Sequence, residues 1–159
     1  MKTALNIEQL SIGYDDPLIE NINLNLDENK LVAIIGRNVS GKSTLLKTIA
    51  GLLPCFDGKV TLNGENLSKL DNKERAKRMG FVSTREKMVQ NISVTEYVQF
   101  GRYPYTNWIG ANSSTDQQLV EQAIASCDLN DIAQFNYHEL SDGQRPVSYT
   151  HLTLPTSVP

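Results

Sequence analysis

The stretch Gly36 to Thr44, GRNVSGKST, constrains this chain more than any other. Its pattern, G-x-x-x-x-G-K-[ST], is that of a loop whose backbone N–H groups curl around a phosphate, with a lysine and a hydroxyl following at fixed spacing. Apolar Leu31 to Ile35 run into it, and Leu45, Ile49, Leu52 and Leu53 recur after it at helical spacing, so the expectation is strand, glycine loop, helix. Gly36 lets the chain leave the strand sharply, and Gly41 lets backbone approach a phosphate where a Cβ would collide. The helix start offers unpaired N–H groups and a positive dipole end to a polyanion. Lys42 is then the fixed cation and Ser43 the hydroxyl ligand of a magnesium ion. Arg37, Asn38, Val39, Ser40 and Thr44 complete the expected phosphate-binding set.

With 159 residues the chain can bury one real core, and a net charge of −3 with a pI near 5.4 excludes a broad basic field for nucleic acid. No run approaches a membrane span, and MKTALNIEQL lacks the apolar centre of a signal peptide, which predicts a cytoplasmic protein. Cys55 and Cys127 lack the paired spacing of a zinc site and read as reduced thiols.

Residues 4 to 13 alternate apolar and polar, with Leu5, Ile7, Leu10 and Ile12 available to one side or to a bulged strand and Tyr14 at its end. Residues 21 to 26, NINLNL, alternate strictly. With Lys59 to Leu62 between the turn signals Asp57-Gly58 and Asn63-Gly64, they predict a small antiparallel sheet beside the phosphate loop. Asp71-x-x-Glu74 predicts a capped helix start, and Gly80-Phe81-Val82 a short strand. Ser93-x-x-Glu96 and Ser114-x-x-Gln117 are further cap signatures. The second leads into a stripe of Leu119, Val120, Ala123, Ile124 and Cys127, so this half is expected to be helical. Between them lies a loop with Tyr103, Tyr105 and Trp108.

Leu140 to Arg145, LSDGQR, resembles the LSGGQ signature of ATP-binding cassette (ABC) ATPases, and it stands roughly 100 residues after the phosphate loop. The two motifs in this order, with a tyrosine before the second strand, cover nearly all of residues 1 to 146. The resemblance implies an α/β P-loop NTPase of ABC type: residues 1–92 as the antiparallel β-subdomain and phosphate-loop core, and 93–146 as a helical subdomain ending in the signature. It further implies ATP and Mg²⁺ as ligands, with adenine stacked on Tyr14 and the phosphates held by residues 36–44. Two subunits would face head to tail, so that Ser141, Asp142, Gly143 and Gln144 of one close on the γ-phosphate held by the other. Permease subunits at the cytoplasmic face of the cell membrane would be the further partners. The stretch Val98-x-x-Gly101-Arg102-x-Pro104-Tyr105 is similar to one in ATPases of iron-siderophore, haem and cobalamin importers, which places Arg102 to Trp108 near the membrane partner.

The chain departs from the family pattern in four places. Val39 stands where a small residue is usual; if positive φ is needed there, the strain is of order 1–3 kcal/mol. Thr84 occupies the place of a glutamine that links γ-phosphate, Mg²⁺ and partner. Asp142 replaces a glycine of the signature. After Arg145 the chain reads PVSYTHLTLPTSVP, without the strand ending in an Mg²⁺-binding aspartate and an activating glutamate, and without the later switch histidine. VSYTHLTLPT is also the translation of DNA resembling a transposase mosaic-end adapter for sequencing libraries. Residues 147–159 are therefore expected to be a non-native tail on a truncated gene, with the second half of the core missing and turnover weak or absent. Three functional readings stand: an importer ATPase for an iron chelate, an exporter or lipid-traffic ATPase, and a nucleotide-binding regulatory module without catalysis.

Overall fold

The computed structural model describes residues 2–83, 91–106, 113–137 and 140, and divides into two units, Met1–Arg75 and Ala76–Pro159. In the first, β1 (Thr3–Gly13), β2 (Pro17–Asp27), β3 (Asp57–Leu62) and β4 (Glu65–Asn66) form one antiparallel sheet in the order β2-β1-β3-β4. Ile7, Leu10 and Ile12 of β1 are buried with Val60 of β3, Leu67 and Ile49. Each contributes about 1.5–3 kcal/mol of apolar burial.

Ile7 and Leu10 are three steps apart, a spacing that puts them on opposite faces of a regular strand. A bulge returns Leu10 to the core: the β1–β2 register shifts between Ile7 and Leu10, and Gln9 takes φ 49° and Asn21 φ 55°. Asn23 stands in for part of the interrupted ladder. Its Oδ1 accepts from Gln9 N–H at 2.9 Å while its Nδ2 donates to Asn21 O at 3.1 Å. Gly58 faces this bulge at φ 84°, and a Cβ there would lie 2.4 Å from Gln9 O. Backbone cannot step aside cheaply, so Gly58→Ala is expected to cost about 2 kcal/mol or more, read as a lower midpoint in urea unfolding of the whole chain. A cost under half of that would mean that the bulge yields.

Asn63 (φ 49°) and Gly64 (φ 84°) join β3 to β4, the left-handed pair that a two-residue hairpin requires. Asn66 then accepts from Ser68 N–H at 2.9 Å and starts a single 3₁₀ turn, Leu67–Lys69. Helix α1 (Lys42–Ile49) is shorter than the apolar spacing implied. Gly51 at φ 69° ends it, with Leu52 N–H bonded to Lys47 O at 2.8 Å and Gly51 N–H to Thr48 O at 3.0 Å, so Leu52 and Leu53 lie past the helix. Asp71 accepts from Glu74 N–H at 2.7 Å at the start of α2 (Asn72–Arg78), as the cap signature predicts.

Two expected strands are absent. Leu31–Ile35 and Gly80–Val82 have no ladder partner among the described residues, and Leu31 and Ile35 are 101% and 93% exposed. A strand exists by pairing, and the sheet β2-β1-β3-β4 does not reach either segment.

The second unit is helical. Ser93 caps α3 (Val94–Gln99) in a reciprocal box, accepting from Glu96 N–H while Glu96 Oε2 accepts from Ser93 N–H at 2.7 Å. Those bonds from Ser93 hold the Glu96 carboxyl below the usual carboxylate range. A 3₁₀ segment, Phe100–Tyr105, follows where a loop was expected, and then α4 (Ser114–Ser126). The α4 cap is Ser113 with Asp116, one residue earlier than Ser114 with Gln117. A carboxylate accepts from the cap N–H more strongly than an amide does, which selects this register. Val94, Val98, Val120, Ile124, Leu129, Tyr137 and Leu140 form the core, with Tyr137 stacked on Tyr97 at 4.0 Å. Burial in this cluster's margin raises the Cys127 thiol pKa, as a reduced thiol packed like a small hydrophobe. No helix among the described residues is long and apolar enough to cross a membrane.

Candidate functional site

The loop from Gly36 to Gly41 meets α1 at its N-terminus. A Cβ on Gly36 would stand 2.9 Å from Ser40 Oγ, and Ser40 N–H bonds to Arg37 O at 3.3 Å, so the turn closes tightly on itself. Gly41, at φ 84° and ψ 0°, is the helix N-cap and is buried against β2, where Ile19 Cδ1 would be 2.7 Å from an added Cβ. The first intrahelical bond is Leu45 N–H to Gly41 O at 2.8 Å. The N–H groups of Lys42, Ser43 and Thr44 therefore precede the helix ladder and point out of its positive end.

Lys42 folds over this turn. Its Nζ donates to Arg37 O at 2.6 Å, Gly36 O at 2.9 Å and Ser40 Oγ at 3.3 Å. The ammonium thus holds the loop in shape and marks its hollow as cationic. Ser43 is exposed beside it, whereas Thr44 is buried under the helix. Arg37, Asn38 and Ser40 are exposed around the rim.

Val39 is 95% exposed at φ 66°, so the left-handed turn falls on a β-branched residue with no packing to repay it. Val39→Gly is expected to raise stability by about 1 kcal/mol, net of the entropy that glycine adds to the unfolded chain. Thermal unfolding of the two chains side by side checks this. An unchanged or lower midpoint would mean that the turn is not strained.

Tyr14 lies in the tight turn between β1 and β2 and is 61% exposed, so its ring is open to a ligand. The strand that follows this turn is the one Gly41 rests against, so the hairpin brings Tyr14 toward the loop's end of the unit. Thr84, Ser141, Asp142, Gly143, Gln144, Trp108 and His138 lie outside the described residues. Leu140, first residue of the signature-like stretch, is buried in the helical core.

Arg102 was placed by the sequence at a partner surface, but its side chain is largely buried. Its Nε donates to Asp116 Oδ1 at 2.9 Å, with side-chain exposures of 13% and 9%, and its guanidinium lies 3.9 Å over the Tyr105 ring. Asp116 also accepts from Ser113 Oγ at 2.7 Å. Ser113 and then Arg102 hold its carboxyl below the usual carboxylate range, against the upward push of burial. Asp116 therefore joins the cap of α4 to the 3₁₀ segment. Sequence reading passed over it in favour of Gln117, although Ser113-x-x-Asp116 is itself a cap pattern. Charge at Arg102 cannot be reversed without breaking this joint, so Tyr103, 73% exposed, is the better probe of the surface.

The family profile of ABC transporters matches residues 19–148. Among curated relatives, the probable siderophore transport system ATP-binding protein YusV of Bacillus subtilis (strain 168) is 36% identical over 153 residues, which is 96% of this chain and 56% of that one. The iron(3+)-hydroxamate import ATP-binding protein FhuC of the same organism is 33% identical over 143 residues, 89% of this chain and 53% of its own. The chain thus spans about half the length of the curated relatives it matches. A solved transporter described as metal-chelate type, seen inward-facing, superposes with a TM-score of 0.79 at 26% identity, over 98% of this chain and 57% of that one. With the profile covering most of its length and the same fold beneath, this chain belongs to the ABC transporter family.

Proposed function

We propose that the protein is the ATP-binding subunit of an ABC importer, coupling ATP binding and hydrolysis to uptake of an iron-siderophore or related chelate. The observation that carries this is the loop of residues 36–44, its ammonium gathered over a turn that opens on a helix N-terminus, in a chain whose relatives are named for siderophore and hydroxamate transport. Arriving phosphates would draw Lys42 Nζ from the carbonyls of Gly36 and Arg37, and the N–H groups at the start of α1 would receive phosphate oxygens. Tyr14 would stack on the adenine and orient it.

The exposed Ser43 hydroxyl at the helix start suits a hard cation that takes one protein oxygen and keeps waters and phosphate oxygens for the rest. Mg²⁺, when bound, neutralises charge on the phosphates during transfer. Ser43 would hold it, and Thr84 would offer a second hydroxyl. A second ATPase subunit, head to tail, would bring Ser141, Gly143 and Gln144 to the γ-phosphate, with the Asp142 carboxylate close by. Permease subunits would dock at the helical unit, and the assembly would sit on the cytoplasmic face of the cell membrane.

Deleting the gene in its source organism should abolish uptake of radiolabelled iron as a ferric siderophore. Full-length protein should restore it and the Lys42→Ala form should not. Uptake that persists across a panel of siderophores, haem and cobalamin would refute the importer reading.

A further inference from the structure

The hairpin that joins β3 to β4 turns on Asn63 and Gly64, the one place in the sequence where an asparagine is followed by a glycine. Both residues have positive φ, 49° and 84°, which makes the turn type I′. Both are exposed, and a Cβ placed on Gly64 would meet nothing within 4 Å. Among the described residues no hydrogen bond engages the Asn63 side-chain amide or Gly64 N–H, whereas Asn63 N–H is tied to Ala4 O at 2.8 Å.

An asparagine side chain and the backbone nitrogen after it can close a five-membered ring. Closure eclipses Cβ and that nitrogen across the Cα–C bond, which for an L-residue is the ψ of about −120° found at the first central position of a type II′ turn. A type I′ turn holds the same ψ near about +30°. Turning over the central peptide group alone converts one turn into the other. Asn63 keeps its positive φ, anchored by the bond to Ala4, while Gly64 moves to negative φ and Leu62 stays paired with Glu65. Glycine meets no steric penalty in either state, and the open space around it leaves the flip unobstructed.

We propose that Asn63 is a site of spontaneous deamidation in the folded protein, reached by this flip. The Gly64 nitrogen gives up its proton to hydroxide and bonds to Asn63 Cγ; the Cγ–amide bond breaks, and ammonia leaves with a proton from water. Water then opens the resulting succinimide at either carbonyl, giving aspartate by attack at Cγ and isoaspartate by attack at the main-chain carbon. Each product adds a negative charge. Isoaspartate also lengthens the backbone by a methylene, which a two-residue hairpin between Leu62 and Glu65 does not fit. The inference does not rest on the nucleotide reading.

Asn66 is the internal reference, since its Oδ1 accepts from Ser68 N–H at 2.9 Å and from Ser68 Oγ at 2.8 Å and a leucine follows it. Trypsin, cutting after Lys59 and Lys69, releases both asparagines in one peptide. The full chain is aged at mildly alkaline pH beside a synthetic peptide of residues 60–69, and the acid products are located by fragment mass and by an isoaspartate assay. With the flipped turn a minor conformer of up to about 10%, Asn63 in the folded chain should convert within about tenfold of its rate in the peptide. Conversion should quicken as pH rises, isoaspartate should exceed aspartate, and Asn66 should stay intact. A slower rate would show that the hairpin withholds the ring geometry. Conversion to aspartate alone, or at Asn66 as fast as at Asn63, would show that no succinimide forms here, and any of these results overturns the proposal.

Discussion

Asp116→Ala lowers the stability of the helical unit by about 3–4 kcal/mol in urea unfolding followed by far-UV circular dichroism. Two losses combine. The Arg102 guanidinium, 13% exposed, keeps its charge without its carboxylate, and removing one partner of a buried pair costs about 3–5 kcal/mol. The α4 cap also loses the acceptor for Ser113 N–H, worth about 1 kcal/mol. Relaxation of the arginine toward water returns part of this. Arg102→Met in the same chain should recover a fraction, so the double variant costs less than the sum of the singles. A loss under 1 kcal/mol for Asp116→Ala would show that the joint is solvated and carries little.

The same carboxyl sets an acid limb. Its folded pKa lies below the unfolded one, chiefly through the Ser113 hydroxyl and then through Arg102. The stabilisation is therefore fully present above the unfolded value, near about 4, and is lost as pH falls from there through the folded value. Wild type should lose stability on acidification more steeply than Asp116→Asn, which has no proton to take up. Parallel acid limbs would remove the assignment.

Lys42→Ala weakens binding of ATP with magnesium at least a hundredfold, about 3 kcal/mol, in equilibrium titration of the full-length protein. Stability should change by less than about 1 kcal/mol, because the bonds it gives up at Gly36 O, Arg37 O and Ser40 Oγ are all exposed. Lys42→Arg should not rescue binding: a planar fork does not enter a hollow shaped around a point charge. Undiminished affinity in Lys42→Ala would leave the loop without its assigned role.

What could be read from residues alone was local. The Ser93–Glu96 box, the Asn63-Gly64 hairpin and the alternation of β1 and β2 depend on groups within a few residues, so spacing suffices to see them. The turn of residues 36–41 belongs with them, since its glycines, its cap at Gly41 and the lysine that folds over it are contiguous. Features needing a distant partner were misread. Leu31–Ile35 has the composition of a strand but no neighbour in the described sheet, and the end of α1 was set by Gly51 against an apolar pattern that ran on. The bond from Arg102 to Asp116 went unread because nothing in the arginine's own neighbourhood announces a carboxylate fourteen positions later.

The exposed run from Leu31 to Ile35 has a practical consequence for handling the chain. Five uncharged, largely β-branched residues without proline, held open to solvent, match the composition of segments that zip together between molecules. Light scattering of the chain at rising concentration should show association, and Ile35→Lys should delay it while leaving the antiparallel sheet intact. Yield and shelf life in the test tube are then governed by a stretch of five residues that precedes the turn.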